Sequence, residues 1–199
     1  EGGGITPSGI PLGADPSNEE DQKDYVFAGY QSNGKTGVAK NAGVLLGGLT
    51  LELDEYTTGV DPGGISTGDL NGDGQADLAV TSTANDTVAI LRQDTVIPGD
   101  FLSAIFVPVG DTPTRITAID FDDDGNLDLA TIVQVAGEPV VRILQGDGNL
   151  SFTSVDTAEG ENVVLVDAGD VSGDGVNELV TIGGGPAFRS RGIVPILSL

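Results

Sequence analysis

Short runs of β-branched and apolar residues, each about the length of a strand, recur along this chain between turn signals. Between residues 113 and 160 they read "RITAID", "LDLATIV", "PVVRILQ" and "LSFTSVD", parted by turns such as "AGEP" and "GDGN". Between residues 62 and 112 they read "GISTGD", "DLAVTST", "TVAILRQ" and "SAIFVPV". No segment shows a 3.6-residue apolar period with caps, so the chain reads as all-β. The runs "DLAV", "VAIL" and "VVRIL" lack the clean alternation of a sheet with one wet face. Sheets stacked face to face, and therefore buried on both sides, account for that.

The runs belong to a repeat. "GDLNGDGQADLAV" from Gly68 returns as "IDFDDDGNLDLATIV" from Ile119 and as "GDVSGDGVNELVTI" from Gly169. Their first aspartates are Asp69, Asp120 and Asp170, steps of 51 and 50 residues. The preceding segments repeat too, as "PGGISTGD", "PTRITAID" and, more loosely, "ENVVLVDAGD". Four strands in each period of about fifty residues is the pattern of a β-propeller blade. The expected architecture is a single propeller domain of about four blades, near residues 5–61, 62–112, 113–160 and 161–199. The first unit carries an eroded copy of the acidic segment, with Asp15, Asn18, Glu20 and Asp24 roughly in the places of the others. The last unit, with "VVLVDAG", "ELVTIGG" and "GIVPILSL", has one strand-like run fewer than the second. Three outcomes fit an incomplete last blade: a fragment of a larger propeller, a four-bladed ring closed by the N-terminal "GGGIT", or completion by another chain. The opening "EGGGITPSG", with neither Met nor a signal-like segment, reads as that of a processed or excised piece.

Composition narrows the chemistry. With 31 acidic and 8 basic residues the net charge is -23, which repels nucleic acid and anionic membrane and attracts cations. Cysteine and histidine are both absent, which excludes disulfides, thiolate or Ser-His-Asp catalysis, and Cys- or His-ligated metals. No apolar run approaches the roughly 18 residues of a membrane-spanning helix, so no direct membrane insertion is expected. The three tyrosines lie in the first unit and tryptophan is absent, a composition that counts against an aromatic sugar-binding platform. Asn85 and Asn149 each open an N-glycosylation triplet, a pattern short enough to arise by chance in turns.

The repeated loop follows D-x-[DNS]-x-D-G-x-x-[DE]. Side chains at its first, third, fifth and ninth positions can converge on one centre, and a backbone carbonyl at the seventh can add an oxygen. The Gly after the fifth position permits the sharp turn. An all-oxygen set suits calcium (Ca2+), which takes about 6–8 hard ligands, better than Mg2+ or a transition metal. An EF-hand or dockerin loop would need an acidic twelfth residue, where this chain has Val80, Thr131 and Thr181. A plain Asx-rich turn explains one copy easily, but three copies with the same alternate oxygens poorly.

At these residues the chain resembles the FG-GAP/VCBS repeat family, whose calcium loops occur in integrin α-subunit propellers and bacterial surface proteins. The resemblance implies that each loop joins the first and second strands of a blade and holds Ca2+, giving about three sites. Carried over by position, it assigns Asp69, Asn71, Asp73 and Asp77, with the carbonyl of Gln75, to the first site. Asp120, Asp122, Asp124 and Asp128 with Asn126 form the second, and Asp170, Ser172, Asp174 and Glu178 with Val176 the third. The second site, acidic at all four side-chain positions, is expected to bind best. The resemblance further implies a non-catalytic module, extracellular or at the cell surface, that engages a protein or glycan ligand in adhesion or assembly. Two other functions are weighed against it. One is a carbohydrate-binding or carbohydrate-active propeller of the lectin or lyase kind, although Asp54, Glu55, Asp94 and Asp111 have no evident catalytic partner. The other is a filament subunit that self-associates through the open blade edge.

Overall fold

The computed structural model of the chain describes residues 10–12, 24–27, 34–45, 48–97, 99–156, 163–175, 177–183 and 191–195. Every element among them is a strand, and every strand pairing is antiparallel. The first sheet holds β1 (Ile10–Leu12), β2 (Asp24–Phe27), β3 (Lys35–Leu45) and β4 (Gly48–Thr57). The second holds β5 (Pro62–Gly68), β6 (Asp77–Ser82), β7 (Thr87–Leu91) and β8 (Ile105–Pro108). The third holds β9 (Ile116–Ile119), β10 (Asp128–Val135), β11 (Glu138–Gly146) and β12 (Phe152–Asp156). The fourth has three strands among the described residues: β13 (Val163–Gly169), β14 (Glu178–Gly183) and β15 (Arg191–Pro195). In every sheet the strands lie in chain order, so each is a meander of neighbours. None of these strands forms part of a helix long and apolar enough to cross a membrane, nor does any other described segment.

The missing alternation in the apolar runs has the expected cause. On β6, Leu78 and Val80 pack with Val38, Leu91 and Phe101 between the first and second sheets. Ala79, between them in sequence, points the other way into a second cluster with Val88, Ile90, Ile116, Leu129 and Val133. β10 repeats the device: Leu129 and Val133 serve that cluster, while Ala130 and Ile132 meet Val166 of β13 and Leu179 of β14. The second and third sheets are thus apolar on both faces, and three cores separate four sheets. Successive side chains of a strand point to opposite faces, so such a strand has no polar face to show in its sequence.

Adjacent sheets are also tied at their first strands. β5 lies beside β9, and β9 beside β13. The amide of Ala118 in β9 donates to Ser66 Oγ in β5 at 3.0 Å. Thr81 and Thr83 hydroxyls donate to the carbonyls of Thr114 (3.1 Å) and Pro113 (2.8 Å). The double glycine of "PGGI" permits this approach, since a Cβ at Gly64 would stand 2.8 Å from the Thr114 carbonyl oxygen. Tyr56 is used in the first core, edge-on to Phe101 with ring centroids 5.6 Å apart, and its hydroxyl accepts from the Phe101 amide at 3.2 Å.

Candidate metal centre

The three acidic loops occupy equivalent places: they join β5 to β6, β9 to β10 and β13 to β14. All are built on the same backbone frame. The first aspartate takes the amides of the fifth and sixth positions on its two carboxylate oxygens. Asp69 accepts from Asp73 and Gly74 at 3.1 and 2.8 Å, Asp120 from Asp124 and Gly125 at 3.2 and 2.9 Å, and Asp170 from Asp174 and Gly175 at 3.2 and 3.0 Å. The glycine at the sixth position turns left-handed in each, with φ of 84°, 90° and 90° at Gly74, Gly125 and Gly175. A side chain there is strained whatever space surrounds it.

Third and fifth positions add Asx bonds in the first two loops. Asn71 Oδ1 accepts from the Asp73 amide and Asp73 Oδ1 from that of Gln75, both at 2.9 Å. Asp122 Oδ1 and Asp124 Oδ1 accept from Asp124 and Asn126 at 3.3 and 2.8 Å. The ninth position plays a part that the loop pattern alone does not reveal. It opens the second strand of each sheet and is buried: Asp77, Asp128 and Glu178. Asp77 Oδ2 accepts from the Leu70 amide at 3.2 Å and Oδ1 from the Gln93 amide, beyond β7, at 2.9 Å. Asp128 repeats this with Phe121 (2.9 Å) and Gly146 (2.8 Å). Glu178 Oε2 accepts from Val171 at 2.8 Å and Ser172 at 3.3 Å. The ninth carboxylate therefore closes its loop and, in the second and third sheets, clamps it to the end of the third strand. The signal for this lay in its place directly before the apolar run.

Burial pushes the Asp77 carboxyl up to about 6, repulsion from Asp73 and Asp69 adding to it, while its bonds from Gln93 and Leu70 pull the other way. Asp128 is raised by the same causes, burial first, with Asp122 and Asp124 as the repelling neighbours. Ionised carboxylates in such a place are short of positive charge.

Among the described residues, two groups of acidic side chains bring their oxygens within 4.8 Å of one another: Asp120, Asp122 and Asp124, and Asp170, Asp174 and Glu178. Both offer only hard oxygen donors, so the residues present fit a calcium ion. The first loop does not form such a group. It has Asn71 at the third position, and the Asn71 amide nitrogen donates to Asp73 Oδ2 at 3.1 Å. In the second loop, Asp122 Oδ2 accepts from Gln145 of β11 at 3.2 Å. Ser172 is exposed, and Val176 lies outside the described residues. In the eroded copy, Asp24 opens β2 as Asp77 opens β6, while Asp15, Asn18 and Glu20 lie outside the described residues.

Other candidates are engaged elsewhere. Glu55 pairs with Lys35 at 2.9 Å, and Asp94 Oδ1 accepts from the Val96 amide at 2.7 Å. Asn85 Oδ1 accepts from the Val60 amide and the Ser82 hydroxyl, at 2.6 and 2.9 Å. No curated protein matches the chain. Residues 69–131, the stretch from the first acidic loop through the second and into β10, match the family model described as the FG-GAP-like repeat.

Proposed function

We propose that this chain is a calcium-stabilised β-propeller module, non-catalytic and extracellular, that serves adhesion or protein–protein assembly. The observation that carries the reading is the convergence of carboxylate oxygens within 4.8 Å in the second and third loops, on a backbone frame common to all three. The propeller supports itself on four consecutive meander sheets, three cores between them and first strands β5, β9 and β13 in a row. Bound calcium would supply the positive charge that these carboxylates lack, so its binding free energy becomes folding free energy. Asp120 and Asp170 hold the loop turns, Asp122, Asp124, Asp174 and Glu178 present oxygens, and the ninth residues anchor the loops to their sheets. The match to the FG-GAP-like repeat supports the adhesion or assembly role.

Thermal unfolding in chelator and in millimolar calcium tests this. At about a hundred times Kd one site contributes roughly 2.7 kcal/mol, a rise in Tm of roughly 5–10 °C for a domain of this size. The double variant Asp122→Ala with Asp124→Ala should lose much of that rise. Superimposable melting curves with and without calcium would overturn the reading.

A further inference from the structure

The eighth position of the loops varies, with Ala76, Leu127 and Asn177, and the ligand pattern gives it no role. In the structure it reaches back onto the neighbouring unit. Ala76 packs into the core shared by the first and second sheets. Leu127 lies over Gly68, the residue before the first loop, close enough that a Cβ on Gly68 would run into its Cδ1. Asn177 makes a directional contact instead: its Nδ2 donates to the carbonyl oxygen of Asp120 at 2.7 Å. That carbonyl belongs to the first residue of the second loop.

The peptide unit so held has a second partner. Its nitrogen is that of Phe121, which donates to Asp128 Oδ2, and Asp128 Oδ1 in turn accepts from Gly146. A single peptide plane at the mouth of the second loop is thus gripped on one side by its own ninth residue and on the other by the third loop. Asn177 itself is bracketed by that loop's closing bonds, from Gly175 to Asp170 and from Val171 to Glu178. Whatever orders Asp170 and Glu178 orders Asn177, and hydrogen bonds in series through a peptide polarise one another.

We infer that Asn177 is a positioning residue that couples the third loop to the second, so that cation binding at Asp170, Asp174 and Glu178 strengthens binding at Asp120, Asp122 and Asp124. This rests on the calcium reading above. Between the first and second loops the corresponding residue, Leu127, lies over Gly68 and packs against the core that holds Leu70, apolar contacts that lack a donor and fix no peptide plane. One neutral hydrogen bond is the size of effect to expect, a factor of about 5 in affinity.

A site-resolved calcium titration decides it, followed by the amide resonance of Gly125 in the second loop. Four full-length proteins are compared: the parent, the third-loop variant Asp170→Asn with Asp174→Asn, Asn177→Leu, and all three changes together. Leucine is what the second loop carries at this position. Disabling the third loop should weaken binding at Gly125 about 5-fold more in the parent than in the Asn177→Leu background. Long-range loss of negative charge acts equally in both backgrounds and cancels in the cycle. Should Asn177→Leu fail to give a dispersed spectrum, Asn177→Ser replaces it. Equal weakening in the two backgrounds overturns the coupling and leaves the calcium reading standing, whereas a Gly125 resonance indifferent to calcium in every protein overturns both.

Discussion

The loops 69–77 and 120–128 share a backbone and differ in their charge. Each has the first aspartate holding two amides, the glycine turned left-handed, and a buried ninth aspartate clamped between the loop and the end of the third strand. Only the second brings three carboxylates together, because Asp122 stands where the first has Asn71. Turn frame and cation density are therefore separable properties. The first, fifth, sixth and ninth positions make the frame, and between these two loops the third sets how much negative charge it concentrates; in the third loop, with Ser172 there, the longer Glu178 completes the group instead.

The largest expected effect comes from breaking what the two loops share. Gly74→Val and Gly125→Val each force a β-branched residue to φ near 84° and 90°, at a cost of about 1–3 kcal/mol. Neither site meets any neighbouring atom within 4 Å of a new Cβ, so the cost is backbone strain and not a clash. Urea unfolding in chelator should show losses of similar size in the two loops. A large loss in one and none in the other would mean that the frames are not equivalent.

A smaller effect sharpens the difference. Asn71→Asp gives the first loop the side chains of the second at the first, third, fifth and ninth positions. It also removes the amide that donates to Asp73. Calcium affinity at that loop should rise about tenfold, the order expected for one added charge at a few ångströms from a divalent ion. In chelator the same variant should be less stable than the parent, because the added carboxylate faces Asp69 and Asp73 without a cation. Calorimetric titration with chelator-phase melting reads both. Gain of stability in chelator would show that repulsion within the loop is not what calcium relieves.

Much of this is legible in the sequence. The eight runs read in the second and third units lie on β5 to β12, because Asp-Gly turns and the fifty-residue step punctuate them clearly. The long β3–β4 hairpin is not legible in the sequence: "KTGVAKNAGVL" mixes Lys, Asn and Gly into its strand, and no acidic loop marks its register. The loop pattern offers the ninth carboxylates as ligands, and it cannot show their bonds to Leu70, Gln93, Phe121 and Gly146, which depend on where the third strand ends, a tertiary fact. The eighth residues give no signal, because Ala, Leu and Asn do different things from one position and a repeat pattern registers only what stays alike.

The smallest effect concerns protons. Asp77 is raised from 3.8 to about 6, so in the metal-free protein the folded state binds its proton more tightly than the unfolded one. Its contribution to stability is then most favourable below pH 3.8 and declines as pH rises towards about 6. On the calcium reading proposed above, a bound ion would reverse the preference, since a ligand or near-neighbour of the ion acts as the carboxylate. Affinity at the first loop should be about halved at pH 6 relative to pH 7.5, and fall towards tenfold per unit below that, with proton uptake matching on release. The Asp77→Asn variant isolates this group from the other acidic residues: its affinity is lower throughout but should lack the step near pH 6. The second loop offers the internal control, because Asp128 is raised by the same burial while its charged neighbours include Asp122 in place of Asn71. If raised proton affinity belongs to the ninth residue, the second loop has a pH step of its own, which Asp128→Asn removes while leaving that of the first. A step surviving in both variants would assign the proton to the exposed carboxylates instead, and would break the equivalence of the two clamps.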